Sequence, residues 1–334
     1  MRRWSFVLVV GLVGSVLGAH AAVGGATGVA ARRCNGMARL CVRSIAEVAF
    51  ATTHNSMSSP ADGFRGPNQG KPIAWQLDHG IRGFQIDAYE GVARGGSVYT
   101  ELSGPFGSQA TDLPPAPVAA AVRIHERLGA PPPGTATDVY LCHTFCEIGA
   151  VSLAHVSNDI RAFLDKHPNE VLAFVVEDYV TPERLRDALS THGLDRELLA
   201  VEPGTPLPTL REMIDAHTRL FVTLENGDGA PTLPNAFTGL VEETPFTFLR
   251  PSALGATSSC DPNRGAAGSL VFQLNHWVTP PTALAARAVN GSSLLARVKR
   301  CTAQRGRIPT LIAVDFAESS DVVGVVGRLN RGTL

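Results

Sequence analysis

The chain has 334 residues, a formal net charge of -1, and 44% hydrophobic residues. This balance allows a large apolar core, and the lack of a basic run or of interleaved aromatic and basic residues argues against a nucleic-acid partner. The length suits either two ordinary domains or one large α/β barrel.

The first 21 residues have the pattern of a secretory signal peptide. Arg2 and Arg3 precede an apolar stretch, and Ala19-His20-Ala21 has the small residues of a cleavage site. We therefore predict cleavage near Ala21 and a secreted, extracellular product. A retained membrane anchor is the alternative, but the apolar stretch is short for a span and no later segment approaches one. We expect no transmembrane segment in the mature form.

Six cysteines in an exported chain indicate disulfide bonds, because oxidising compartments preserve them. Sequence alone does not choose among the pairings. Local spacing favours Cys34 with Cys41 and Cys142 with Cys146, which leaves Cys260 with Cys301. A zinc site built from Cys142, His143 and Cys146 is the competing interpretation, although no second ligand cluster completes it.

Apolar segments rich in β-branched residues predict eight strands, and helix-like stretches follow most of them. The strands lie near 47–52, 82–87, 139–142, 171–176, 198–201, 219–224, 269–274 and 310–315. The helices lie near 152–166, 182–189, 209–216 and 292–303. Strands alternating with helices predict a parallel sheet covered by helices, and eight in one chain predict an α/β fold of the (β/α)8 TIM-type barrel class.

Three regions complete the predicted organisation. Residues 22–43, with Cys34 and Cys41, would form an N-terminal extension to a single barrel domain over 44–330. Two long irregular insertions, near 91–138 and 227–268, interrupt the alternation. Long loops of this kind are often binding loops, so we expect parts of both to face the substrate.

Polar side chains follow most of the predicted strands. They are His54, Asn55, Asp87, His143, Glu177, Glu225, Asn226, Asn275, His276 and Asp315. A barrel gathers the carboxyl ends of its strands into one mouth, so residues far apart in sequence would meet there. Strands also end in polar loops for purely structural reasons, but that explains acids and imidazoles at most of the ends less well.

Two of these histidines suit acid–base chemistry. His54 and His143 could act as base and acid, because a neutral imidazole and an imidazolium coexist near neutral pH. Asp315 could orient an imidazole, as acids do for catalytic histidines, or could cap a strand end. Acyl-transfer, P-loop, metalloprotease and dinucleotide motifs are absent from the sequence. A glycosidase pair of Asp87 and Glu177 would leave both histidines without a role.

Asp87 and Glu177, with the amide oxygen of Asn55, are oxygen ligands suited to Ca²⁺ or Mg²⁺. Such an ion would offset charge on a phosphoryl oxygen, so acid, base and cation together indicate phosphodiester cleavage. The alternative is that both acids simply pair with basic side chains such as Arg82.

Several segments resemble one known family. They are FATTHNS (50–56), GIRGFQID (80–87), LCHTFC (141–146), NEV (169–171), VVEDYV (175–180), LVFQLNHW (270–277) and LIAVDF (311–316). Together they look like the X domain of phosphatidylinositol-specific phospholipase C, most of all its secreted, cysteine-containing members, over residues 41–320.

The resemblance implies a barrel with paired catalytic histidines. His54 would deprotonate the inositol 2-hydroxyl for attack on phosphorus, and His143 would protonate the departing diacylglycerol oxygen, which leaves a cyclic inositol phosphate. Metal-dependent members bind Ca²⁺ through residues that match Asn55, Asp87 and Glu177. Gln85 stands where those members have another acid, so its lack of charge should weaken binding of the ion. Metal-independent members have an arginine where this chain has Tyr89.

The sequence therefore predicts an exported phosphoric diester hydrolase or lyase, a phospholipase C-like phosphodiesterase assisted by Ca²⁺, whose phospholipid substrate could lie at a membrane surface. A non-catalytic exported binding module on the same barrel is one alternative. A phosphodiesterase for a non-inositol substrate, such as a glycerophosphodiester, is another. No matching phosphate-binding lysine cluster is found, which leaves the headgroup open.

Overall fold

A computed structural model describes residues 1, 32–102, 115–129, 131–132, 135–202 and 204–334. Residues 2–21 of the predicted signal peptide and 22–31 of the predicted extension lie outside the described residues. The chain divides into two compact units, Met1–Ala31 and Arg32–Leu334. All elements given below belong to the second unit.

The second unit is built around one mixed sheet. Its described strands are β1 (Phe50–Thr53), β2 (Gly83–Arg94), β3 (Ser97–Thr100), β4 (Asp138–Cys142), β5 (Ala150–Ser152), β6 (Leu172–Tyr179), β7 (Leu220–Leu224), β8 (Val241–Glu243), β9 (Val271–His276) and β10 (Leu311–Val314). Seven of them run parallel in the order β8-β9-β10-β1-β2-β6-β7. β3, β4 and β5 form an antiparallel excursion from the second half of β2.

The space between the two end strands, β7 and β8, is bridged by residues 234–236. Leu224 at the end of β7 donates its N–H to the Pro234 carbonyl at 2.9 Å and accepts from the Ala236 N–H at 2.7 Å. The Val241 N–H, at the start of β8, then donates to the Ala236 carbonyl at 2.7 Å. These bonds link the two edges of the parallel sheet.

Eight α-helices are described: α1 (Ile73–Asp78), α2 (Pro115–Arg127), α3 (Leu153–Lys166), α4 (Pro182–Ser190), α5 (Leu210–Asp215), α6 (Ala283–Val289), α7 (Ser292–Arg305) and α8 (Val322–Arg331). The four predicted helices are confirmed as α3, α4, α5 and α7. Local chemistry starts them: the Thr181 side chain accepts from the Arg184 N–H, and Thr209 forms a capping box with Glu212.

The pleat divides the apolar residues between two layers. Alternate residues such as Phe84 and Ile86 on β2 pack with residues of α3 and α4 outside the sheet. On β6, Val175 points to the other face and joins a second buried cluster, which includes Leu40 and Ile45 from the N-terminal segment. That face carries apolar side chains near the start of the strands and polar ones at their ends.

Two strand predictions need correction. Residues 198–201 are not a strand, because they form a single parallel bridge, Leu198 with Leu220, and Val201 N–H then donates to the Pro231 carbonyl at 2.8 Å. A short apolar run does not distinguish a strand from a buried connection. The predicted strand at 139–142 is present as β4, but it pairs antiparallel with β2. The seventh parallel strand, β8, lies inside the segment predicted to be irregular.

All three predicted disulfides are present: Cys34–Cys41, Cys142–Cys146 and Cys260–Cys301. The zinc interpretation is therefore wrong, because Cys142 and Cys146 are bonded to each other and have no thiolate to offer. None of the described helices is long and apolar enough to cross a membrane.

Candidate active site

The carboxyl ends of the parallel strands surround a cavity of about 130 Å³. The residues that line it are His54, Asn55, Gln85, Ile86, Asp87, Val175, Glu177, Glu225, Glu243, Phe246, Arg264, Asn275 and Trp277. The pleat explains part of this set, because Gln85 and Asp87 share one face of β2 and Asp87 stands opposite Glu177 in the register with β6.

His54 follows β1 and is held on three sides. Its N–H donates to the Val314 carbonyl at 3.0 Å, and its own carbonyl accepts from Gln69 Nε2 at 2.7 Å. Its ring stacks on Trp277 with centroids 3.7 Å apart. Nδ1 lies 2.9 Å from Asp315 Oδ1, which is an acceptor, so in the neutral ring Nδ1 carries the proton and Nε2 has the lone pair.

His143 lies within the short loop that the Cys142–Cys146 disulfide closes. Its Nδ1 donates to Asp87 Oδ2 at 3.0 Å. Desolvation disfavours the imidazolium, but the hydrogen bond and the charge of Asp87 outweigh it, and the charges of Glu177 and Asp315 add to them. The result is a raised pKa for His143. This histidine is therefore suited to carry a proton near neutral pH.

The two imidazoles converge on one side chain. Asn55 Nδ2 lies 3.2 Å from His54 Nε2 and 3.5 Å from His143 Nε2. Each ring is thus oriented through Nδ1 by its own aspartate and presents Nε2 to the same place. The chain builds two Asp–His pairs, Asp315–His54 and Asp87–His143, that face each other across Asn55.

Glu177 is buried beside Asp87. Burial and the charge of Asp87 raise the pKa of Glu177 to about 7, although a hydrogen bond from the Tyr179 hydroxyl at 2.5 Å opposes the rise. Tyr179 in turn stacks on Tyr89 with centroids 4.5 Å apart. The repulsion between the two carboxylates is thus incompletely offset by neighbouring protein groups.

The predicted metal ligands Asn55, Gln85, Asp87 and Glu177 all line the cavity. No group of three or more His, Cys, Asp or Glu side chains arranged to hold a metal is found in the part of the chain that the structure describes. Gln85 is nevertheless buried, and its Oε1 has no hydrogen-bond partner among the described residues, while its Nε2 donates to Asn275 Oδ1 at 3.4 Å. An unpartnered amide oxygen beside two mutually repelling carboxylates fits a hard cation.

The alternative that Asp87 and Glu177 pair with Arg82 is wrong. Arg82 Nε instead bonds Glu170 Oε2 at 2.6 Å. His276 also lies outside the cavity: it is fully buried, and its Nε2 donates to the Val289 carbonyl at 3.0 Å.

Sequence reasoning missed several residues of the site. Asn68 Nδ2 donates to Asp315 Oδ1 at 3.1 Å, and Gln69 holds the His54 carbonyl. Arg264 and Glu243 enter the cavity from the segment predicted to be an irregular insertion. The run Val-Glu-Glu at 241–243 is too short to show the alternation of a strand, and nothing in the sequence marks Arg264.

The family model described as PI-PLC X matches residues 130–330, a range that includes His143, Glu177 and Asp315 but not His54. The chain belongs to the PI-PLC X domain family. A PI-PLC X domain-containing protein of Arthroderma benhamiae is 26% identical over 324 residues, with 89% of each chain covered. One of Arabidopsis thaliana is 26% identical over 208 residues, which are 58% of this chain and 49% of that relative, so the chain spans about half of its length.

Solved structures of similar fold include the phosphatidylinositol-specific phospholipase C of Listeria monocytogenes. Its TM-score is 0.53 at 13% identity, with 86% of this chain and 95% of that chain covered. A variant of the Staphylococcus aureus enzyme has a TM-score of 0.50 at 14% identity, with 87% and 93% covered. These likenesses confirm the predicted fold class, an α/β barrel of the PI-PLC X domain type.

Proposed function

We propose that this PI-PLC X domain protein is a secreted phosphoric diester hydrolase or lyase of the phospholipase C type, in which His54 and His143 provide acid–base catalysis on a phospholipid. Family membership supports phospholipase C-like phosphodiester chemistry in general. The observation that carries the specific proposal is the pair of Asp–His units whose Nε2 atoms both face Asn55, at 3.2 Å and 3.5 Å.

The roles follow from the protonation states that the hydrogen bonds favour. His54 Nε2 accepts the proton of the attacking headgroup hydroxyl as its oxygen forms a bond to phosphorus, and Asp315 stabilises the imidazolium that results. His143 carries a proton because of Asp87, and its Nε2 gives that proton to the alcohol oxygen as the opposite P–O bond breaks. A hydroxyl on the headgroup itself would yield a cyclic phosphodiester, which water can open with the two histidines in reversed roles.

A divalent cation, Ca²⁺ by preference over Mg²⁺, is part of the proposal. Asp87 and Glu177 would hold it together with the amide oxygens of Asn55 and Gln85. When bound, it would neutralise charge on a phosphoryl oxygen. Gln85 Oε1, which is unpartnered in the part of the chain that the structure describes, and the raised pKa of Glu177 support a cation here.

Export is proposed from the sequence pattern of residues 1–21. Three disulfides among the described residues support it, because such bonds persist in oxidising compartments.

The test is turnover of purified mature protein on a panel of phospholipids and glycerophosphodiesters, with His54→Ala and His143→Ala variants. Each should lower kcat by about 10²–10⁴, the range of general acid–base catalysis, while the thermal unfolding midpoint stays near that of wild type. His192→Ala is the matched control, because that partly exposed ring lies outside the cavity and bonds only Asn158 in the described structure. Full activity in both site variants would refute the mechanism, and ligand binding without turnover by the wild type would instead favour a binding module.

A further inference from the structure

Trp277 directly follows β9 and lies flat against the imidazole of His54. The two ring centroids are 3.7 Å apart and the ring planes differ by 6°, so the rings are parallel. Trp277 is buried, with 5% of its surface exposed, while 22% of the His54 side chain is open. An aromatic surface therefore covers one face of the candidate base. Its polar contacts with Asp315 and Asn55, at 2.9 Å and 3.2 Å, are made through the ring nitrogens instead.

The chain on either side of Trp277 is anchored. Before it, His276 Nε2 donates to the Val289 carbonyl at 3.0 Å. After it, the Thr279 N–H donates to the Phe248 carbonyl at 2.8 Å. Phe248 and Val289 belong to one buried apolar cluster. The backbone that carries the indole is therefore held from both sides by two other segments of the chain.

The stack and the hydrogen bond to Asp315 restrain different movements of the His54 ring. The hydrogen bond acts in the plane of the ring, but a ring held by it alone can still tilt about that bond. A parallel contact across the whole ring face opposes the tilt. Together the two contacts direct Nε2 toward Asn55, where His143 also points. Such alignment raises the rate, because the entropy of orienting the base is lost during folding and not in the reaction.

The indole face also interacts with the charge that His54 acquires. In the proposed reaction the attacking hydroxyl gives its proton to Nε2 as its oxygen forms a bond to phosphorus, so the neutral imidazole becomes an imidazolium. The π face of an indole carries partial negative charge and attracts a cation that lies over it. The neutral ring is attracted less. The stack therefore stabilises the transition state more than the ground state, and such differential binding raises kcat.

A second tryptophan–histidine stack in the chain provides a comparison. Trp75 and His79 have ring centroids 3.6 Å apart and planes that differ by 13°. There, His79 Nδ1 contacts the Trp75 carbonyl at 2.7 Å rather than an acid, and neither residue lines the cavity. The two stacks share their chemistry and differ in their surroundings. An effect of the indole on catalysis should therefore appear at position 277 and be absent at position 75.

We propose that Trp277 is a positioning residue of the reaction, whose indole face orients the His54 imidazole and stabilises the imidazolium that forms there. The inference rests on the proposed function and adds a residue to it. Because the indole acts on the base, its removal should lower kcat more than it changes KM.

The test replaces the indole at position 277 by tryptophan analogues that carry increasing numbers of ring fluorines, incorporated at that position alone. Fluorine withdraws π-electron density and changes the shape of the ring little, so the series weakens the charge interaction while the stack remains. The substrate is phosphatidylinositol in mixed micelles, or the phospholipid of the panel that wild type cleaves faster. We expect kcat to fall stepwise, by about tenfold for the tetrafluorinated ring, with KM within about twofold of wild type. The same analogues at position 75 are the matched control and should leave kcat unchanged.

Two substitutions test the orienting role. Trp277→Phe keeps an aromatic face and should retain more activity than Trp277→Leu, whose kcat should fall by about 30-fold. When Trp277→Leu is combined with Asp315→Asn, the loss should be smaller than the product of the two single losses, since both residues hold the same ring. A Phe variant no more active than the Leu variant, or losses that simply multiply, would contradict this role.

The possible results separate the inference from the proposed function. A kcat that is unchanged across the fluorinated series, or that falls equally at positions 75 and 277, would overturn the inference and leave a phosphodiesterase. Absence of turnover of every phospholipid and glycerophosphodiester by wild type would refute the proposed function itself. If Trp277→Leu unfolds at a lower temperature, the fluorinated series carries the test, because it retains the ring and its packing.

Discussion

Replacing Asp315 by asparagine should separate the orientation of His54 from the stability of the fold. Asp315 is buried directly after β10, and its Oδ1 accepts from His54 Nδ1 at 2.9 Å and from Asn68 Nδ2 at 3.1 Å. Its Oδ2 has no hydrogen-bond partner within the described ranges. An asparagine fits the same volume, but it carries no charge to stabilise an imidazolium. If its amide nitrogen faced His54 Nδ1, it would also favour the tautomer of His54 that carries the proton on Nε2.

The size of the effect follows from the geometry. With 2.9 Å between Nδ1 and Oδ1, the two charge centres lie about 4 Å apart, which gives about 4 kcal/mol at an effective dielectric constant near 20. That energy corresponds to about 10³ in rate. His54 is partly open to solvent, which screens the pair, so we expect kcat to fall by about 10² to 10³ with little change in KM. Stability should change by about 1 kcal/mol or less, since one hydrogen bond is altered and an unpartnered oxygen is replaced.

The assay is steady-state turnover of phosphatidylinositol in mixed micelles, together with thermal unfolding of the same preparations. Asp321→Asn is the matched control, because that exposed acid pairs with Arg328 on the surface, and its kcat should equal the wild-type value. If the folded Asp315→Asn variant kept kcat within about threefold of wild type, the proposed role of Asp315 in orienting His54 and stabilising its imidazolium would be wrong.

Three further results are expected. EDTA should suppress activity and added Ca²⁺ should restore it. Gln85→Glu should lower the Ca²⁺ concentration required, because it adds a charged ligand. Activity that is unchanged by EDTA would show that catalysis needs no cation. The double variant Cys142→Ser with Cys146→Ser opens the loop that holds His143 and should lower kcat about tenfold. The double variant Cys34→Ser with Cys41→Ser should leave kcat unchanged. Equal kcat values in the two double variants would contradict a role for the Cys142–Cys146 disulfide in positioning His143. Burial and Arg297 lower the pKa of His276 to about 3, so its contribution to stability is complete above about pH 6.5 and is lost as the pH falls toward 3. Denaturant unfolding of wild type should therefore lose about 2 kcal/mol between pH 7 and pH 5 that His276→Gln does not lose, and parallel losses would refute this.

Much of the fold could be predicted because local chemistry and periodicity act over short distances. Thr181 before Pro182 and Thr209 before Glu212 mark helix starts that need no tertiary information. The strand at 241–243 could not be recognised, because three residues are too few to show the alternation of apolar and polar side chains that marks a strand. The apolar run at 198–201 resembles a strand in sequence, but it meets β7 through a single bridge, and the sequence does not show where that pairing stops.

The candidate site divides in the same way. His54, Asp87, Glu177 and Asp315 stand at or just after the ends of the predicted strands, so the barrel hypothesis alone predicts that they meet. Arg264 reaches the cavity from a loop whose path depends on a disulfide and on the packing of Gly265 against β8. No local sequence pattern predicts these contacts. The charges that Glu225, Glu243 and Arg264 bring to the cavity are therefore revealed only by the assembled structure.

Phosphorus NMR of the reaction products tests the central claim most directly, namely that His54 and His143 cleave a phosphodiester through attack by a hydroxyl of the headgroup. With phosphatidylinositol and wild-type protein, we expect the resonance of a cyclic inositol phosphate to appear first, with diacylglycerol as the other product and no such signal from His54→Ala. Phosphatidic acid, or an acyclic monoester formed from the outset with solvent oxygen incorporated, would contradict the account.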